Sequence, residues 1–99
     1  MATSVSTVTT DHASRYLQQL CKHWSHKFEV EFNETAGKVP FSPGASLELA
    51  ADTAKLILTL NVAKPEDLER LQDVVADHLK RFAFREELDF VWIPDASAA

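Results

Sequence analysis

Apolar and polar positions along this chain follow two periods, and the changes of period mark its elements. Between Lys55 and Val62 the period is two. Leu56, Leu58, Leu60 and Val62 fall on one side, with Ile57, Thr59 and Asn61 on the other. A strand with one buried face needs that alternation, because successive side chains leave the backbone on opposite sides. The same period runs through residues 27–32, where Phe28, Val30 and Phe32 oppose Lys27, Glu29 and Glu31. It returns in residues 46–50, with Leu47 and Leu49 on one face. It returns again in 87–93, where Leu88, Phe90 and Trp92 oppose Asp89, Val91 and Ile93. Val39-Pro40-Phe41 reads as a short strand that Pro40 puts at an edge or beside a break. Residues 4–10, SVSTVTT, are β-branched and polar with no apolar face of helical period, a composition that favours a strand, one suited to a sheet edge.

Two stretches carry the helical period. In the first, Ala13, Tyr16, Leu17, Leu20, Cys21 and Trp24 share one face, and Arg15, Gln18, Gln19 and Lys22 take the other. Thr10 or Asp11 caps its start, and it fades around residues 24–26. The second begins at Pro65, a favoured first helical position, followed by Glu66 and Asp67 in the positive first turn. Its stripe is Leu68, Leu71, Val74, Val75, Leu79 and Phe82, and Lys80 and Arg81 suit the negative last turn. Turns fall at 33–37, where Gly37 is available for positive φ, at Ser42-Pro43-Gly44 and at Ala51-Asp52.

The order is therefore β-α-β-β-β-β-α-β. Short connections make the central strands an antiparallel meander, and two amphipathic helices can cover only one sheet face. The expected fold is an α+β two-layer sandwich, an antiparallel sheet of five to six strands with two helices on one face. Residues 1–94 form one domain, and the small, polar segment 95–99 is expected to be a disordered tail. The uncovered face carries Lys27, Glu29, Glu31, Thr59 and Asn61, which suit water. It also carries Ile57, Val91 and Ile93, which suit it less and form a candidate interface. A self-pairing homodimer is the simplest use of such a patch, and scattered surface apolar residues are the plain alternative.

Composition narrows the functional classes. With 99 residues, 45% hydrophobic and 25% charged, the chain has globular material for one core. Fifteen acidic residues against ten basic ones give a net charge of −5, which repels phosphate backbones. Neither a nucleic-acid nor a membrane partner is expected. The single cysteine, Cys21, cannot form an internal disulfide, and the N-terminal residues have neither the basic nor the apolar region of a signal peptide. The expected location is cytoplasmic.

Enzyme signatures are missing. With only Gly37 and Gly44, no Gly-rich phosphate cradle can be built, and no nucleophile elbow, HExxH or CxxC is present. The pairs Glu66-Asp67 and Glu86-Glu87 are explained by helix start and solubility. The run Cys21-Lys22-His23-Trp24-Ser25-His26 offers thiolate and imidazole donors, good ligands for zinc or iron. At about 100° per residue, however, Cys21 lies on the core side with Leu17 and Trp24, while His23 and His26 fall near the opposite face with His12 and Gln19. Cys21 cannot join them on one metal while the helix persists, and it reads as a small core residue. His23 and His26 could hold a metal with a third ligand from elsewhere; the plain alternative is two solvated imidazoles at a helix C-terminus. His78 falls inside the second helix's stripe, beside Val74, Val75 and Phe82. It reads either as a hydrogen-bonded core residue or as a general base, with Arg81 or Arg85 gripping an anionic substrate.

Three stretches together, SRYLQQLCKHWSHKFEVEF (14–32), LQDVVADHLKRFAFREEL (71–88) and DFVWIP (89–94), resemble the bacterial domain-of-unknown-function family 2218. The similarity spans about residues 5–94, and its motif positions are His23, His26, Lys27, His78, Arg81, Phe82, Phe84, Arg85 and Glu86. The resemblance implies a fold like the C-terminal domain of phosphohexomutases, in the TATA-binding-protein-like group, and assigns none of these residues a role. It also implies an iron context, because such segments occur attached to siderophore-interacting, flavin-dependent ferric reductases. The leading expectation is thus a non-catalytic accessory or binding module in siderophore and iron use, with a siderophore-interacting flavin reductase as partner and no cofactor of its own. A metal- or haem-binding protein using His23 and His26 is the alternative, and a small enzyme with His78 as general base the second.

Overall fold

The computed structural model describes residues 2–83, 88 and 90–94. Its elements are β1 (Ala2–Thr9), α1 (Ala13–Trp24), β2 (Glu31–Phe32), β3 (Ala36–Ser42), β4 (Ala45–Ala51), β5 (Lys55–Val62), α2 (Leu68–Phe82) and β6 (Trp92–Pro94), with a 3-10 turn, Pro65–Asp67, leading into α2. The strands form one antiparallel sheet in the order β2-β3-β4-β5-β1-β6. Both helices pack on the same face, α1 over β3 and β4 and α2 over β5 and β1. The α+β architecture, the meander of β2 to β5 and the single covered face are as the periodicity predicts.

The covered face is a continuous apolar layer. Val39, Leu47, Leu56, Leu58 and Leu60 are fully buried beneath Leu17, Leu20, Val75 and Leu79 from the helices. Each such side chain contributes about 1.5–3 kcal/mol by leaving water. The period-two strands put these residues in line, and the 3.6-period helices supply the matching stripes.

Four local expectations are corrected. β1 is not an edge strand: it lies between β5 and β6, with Thr9 opposite Lys55 and Ser6 opposite Trp92. Its hydroxyl-rich face is buried rather than solvated. Ser4 and Ser6 are fully buried, and Ser4 Oγ accepts a 2.8 Å hydrogen bond from Gln72 Nε2 of α2. The strand expected over 27–32 shrinks to Glu31–Phe32, so Lys27 and Glu29 stand outside the sheet. Phe28 and Val30 still pack against the core, which keeps the alternation without a ladder. Of the strand expected over 87–93, β6 holds Trp92 and Ile93; residues 84–87 and 89 lie outside the described residues, as does the segment 95–99.

Gly37 supplies the fourth. Neither glycine has a positive φ. The β2–β3 turn is made by Asn33, whose Oδ1 accepts the backbone N–H groups of Thr35 and Ala36 at 2.9 Å. Asp52 does the same at the β4–β5 turn, its Oδ1 accepting from Ala54 and Lys55 at 2.8 Å. The Ala54 N–H chiefly holds the Asp52 carboxyl below its usual range; desolvation opposes it, and the Lys55 N–H and charge add smaller lowering effects. The turn is therefore strongest above the ordinary carboxylate range and weakens as pH falls through the lowered value. Gly37 itself sits in β3, where a Cβ would lie 2.7 Å from Cys21 Sγ and 3.3 Å from Phe32 Cβ. The missing side chain is what lets α1 settle on the sheet.

That contact generates a prediction. Gly37→Ala should destabilise the fold by about 1–3 kcal/mol through overpacking, read from urea unfolding. In a Cys21→Ala background, which removes the sulfur, the same substitution should cost clearly less; an equal cost in both backgrounds would show that the close approach is not the cause.

Candidate functional site

Two regions hold the residues singled out in the sequence. The first is the open face of the sheet. On β1, Ser4, Ser6 and Val8 point to the helices, so Thr3, Val5 and Thr7 point away. Register extends this face across the sheet. One row runs Glu31, Lys38, Glu48, Thr59, Val5 and Ile93, and the next runs Ala36, Ala50, Ile57 and Thr7. Charge is thus gathered at the β2–β4 side, where Lys38 stands between two glutamates. Apolar surface is gathered at the β1–β6 side. Ile93 is 62% exposed and Val91, just before β6, 63%. Ile57 is half-buried between these zones, at the floor of a shallow depression of about 540 Å³ that Glu31, Lys38, Glu48 and Thr59 also line. Thr3 Oγ1 and Asn61 Oδ1 close one end of the face with a 2.8 Å hydrogen bond. Ile57 and Ile93 therefore share the uncovered face, as the alternation predicts.

The second region lies where the C-terminal turns of α1 and α2 meet. Trp24 is its anchor: 4% exposed, it packs edge-to-face on Phe41 of β3 at 5.1 Å and tilts over His78 at 5.3 Å. His23, from the same turn of α1, has its ring centroid 5.3 Å from that of His78 and 6.0 Å from that of Phe82. His78 Nδ1 lies 2.7 Å from the Val74 carbonyl oxygen one turn earlier. A carbonyl only accepts, so Nδ1 carries the proton and Nε2 of the neutral ring keeps its lone pair. Helical rotation alone placed His23 on the solvent side of α1; the structure puts it on the flank that α2 approaches. His23 is joined by His78 rather than by His26, which is exposed beyond the end of α1. Arg81 is exposed in the last turn of α2, and Lys80 Nζ lies 5.7 Å from the Phe90 ring. Arg85 and Glu86 lie outside the described residues.

Cys21 belongs to neither region. It is fully buried under α1, against Gly37, and desolvation pushes its thiol from the ordinary 9.0 up to about 11. Among the described residues no three of His, Cys, Asp and Glu come together as a metal-binding group, and no helix is long and apolar enough to cross a membrane.

A family profile described as an uncharacterized protein conserved in bacteria matches residues 5–93. The chain belongs to this family, DUF2218. Apart from Thr3, the residues of both regions fall inside the matched span. The fold is also similar to the NMR structure of PA4090 from Pseudomonas aeruginosa, with a TM-score of 0.79 and 42% sequence identity, covering 94% of this chain and 96% of that one. A search among curated proteins finds no match.

The buried thiol gives this DUF2218 chain a pH signature. Because the folded-state value is raised, its contribution to stability is complete below about 9 and is lost as pH rises towards about 11. Wild-type stability should fall across that window in urea titrations, and Cys21→Ala should lack the thiol's share of the fall. Native Cys21 should also resist a soluble disulfide reagent at pH below 9 until the protein is unfolded; rapid native-state reaction would contradict its burial.

Proposed function

We propose that this DUF2218 chain is a non-catalytic binding module that docks a partner protein on its open sheet face. The observation that carries this reading is the division of that face. A sheet covered by helices on one side only presents Val91 and Ile93, each more than half exposed, at its β6 edge, and the charged row Glu31, Lys38 and Glu48 at its β2–β4 side. Apolar area and ordered charge on one face are the composition of a protein-recognition surface, where the apolar part supplies affinity and the charges fix register. The resemblance drawn from the sequence suggests the partner, a siderophore-interacting, flavin-dependent ferric reductase, because it implies that related segments occur attached to such proteins. In this reading the chain works in siderophore and iron use, in the cytoplasm, as an accessory to another protein's redox chemistry.

The test uses the purified chain and the siderophore-interacting reductase of the same bacterium. Calorimetry should give a saturable complex, weakened about tenfold or more by Ile93→Asp, a loss of at least about 1.4 kcal/mol, and left intact by Lys64→Ala, which lines a groove with Asp67, Arg70 and Leu71 at the start of α2. Sedimentation of the chain alone distinguishes a homodimer using the same face. No complex with the reductase, or one indifferent to Ile93→Asp, defeats the reading.

A further inference from the structure

We propose that His23 and His78 form a two-histidine site for a first-row divalent metal ion, in the cleft between the last turns of α1 and α2. The site is independent of the sheet face and of any partner docked there.

Three observations converge on it. The first is spacing. Two imidazoles bound to one tetrahedral zinc through nitrogens about 2.0–2.1 Å from the metal have their ring centroids about 5 Å apart. The centroids of His23 and His78 are 5.3 Å apart, with the ring planes inclined at 46°. The centroid separation is therefore the one that a shared ion requires.

The second is the state of His78. Its Nδ1–H is committed to the Val74 carbonyl at 2.7 Å. This backbone contact fixes the ring and leaves Nε2 as the donor, which is how protein metal sites orient a ligating imidazole. Trp24 and Phe82 pack against the two rings and restrict them further. Preorganisation of that kind lowers the cost of bringing two ligands to one ion.

The third is position. His23 lies in the final turn of α1, and His78 is one turn from the end of α2. The negative ends of both helix dipoles therefore converge on the pair and favour a cation. Lys22, Lys80 and Arg81 oppose this, but all three are exposed, and their repulsion is screened by water and salt.

Imidazole nitrogens suit zinc, copper, nickel and iron, not the hard oxygen-seeking ions. No third His, Cys, Asp or Glu joins the pair among the described residues, so the remaining coordination positions fall to water or to a small donor ligand. His23 is exposed and His78 half-buried, which gives an ion access from solvent. A site of this form is weaker than a closed four-ligand zinc site and exchanges its ion readily.

Zinc alone is the probe. The purified chain is titrated with zinc at neutral pH, with binding followed by calorimetry and by the nitrogen-15 shifts of the histidine side chains. The expected result is one ion per chain, with large shifts confined to Nε2 of His78 and one ring nitrogen of His23. His23→Gln and His78→Gln should each weaken binding about tenfold or more, at least about 1.4 kcal/mol, while His26→Gln leaves it unchanged. If either variant fails to fold, the wild-type nitrogen shifts still decide. Imidazole nitrogens that do not respond to zinc, or binding lost through His26→Gln instead, would overturn the site and leave the two rings as packing between helices.

Discussion

One apolar layer, a single side chain deep, holds this molecule together. It lies between the inner face of the sheet and the stripes of two helices, and among the described residues it has no counterpart on the other side. Everything else follows from that asymmetry. Two helices must share one face, so they lie side by side and their ends are brought into contact. The opposite face is left as six strands of surface, whose composition is then free of the demand for burial. The two candidate regions are the two by-products of this arrangement: the flank where the helices touch and the face they do not reach.

The closeness of α1 to the sheet depends on a pair of small groups. Gly37 contributes no side chain and Cys21 a short one, and their contact sets the depth at which Leu17 and Leu20 enter the layer. One turn further along α1, Trp24 fills the larger gap between α1, β3 and α2, against Phe41 and His78. Trp24 also lies against the rings of both His23 and His78, so the side chain that fills the gap seats the two imidazoles. The histidine pair is thus a result of core packing rather than of any local motif.

Those dependencies explain what could be read from the sequence. β5 was legible to the residue, because Leu56, Leu58, Leu60 and Val62 are buried on one face only. Both helices were legible for the same reason, in their own period. β1 was misplaced because Ser4 and Ser6 are polar yet buried, and hydroxyl-rich strands ordinarily mark edges; only the later arrival of α2, with Gln72 over Ser4, makes that burial acceptable. Residues 27–30 keep strand alternation without strand pairing, since Phe28 and Val30 reach the core from a loop. Ile57 and Ile93 were correctly put on one face, because period two carries across a registered sheet. The approach of His23 to His78 could not be read at all. It depends on the angle between two helices, which no periodicity within either of them encodes.

The position of β1 has a consequence for the history of each molecule. Ala2–Thr9 leaves the ribosome well before both its neighbours, Lys55–Val62 and Trp92–Pro94. Until they arrive, the strand has backbone donors and acceptors with no ladder to join. Its serines and threonines keep it hydrated and unattractive to other chains during that wait. The polar character that disguises a central strand as an edge is therefore also what allows the nascent chain to postpone its closure without aggregating.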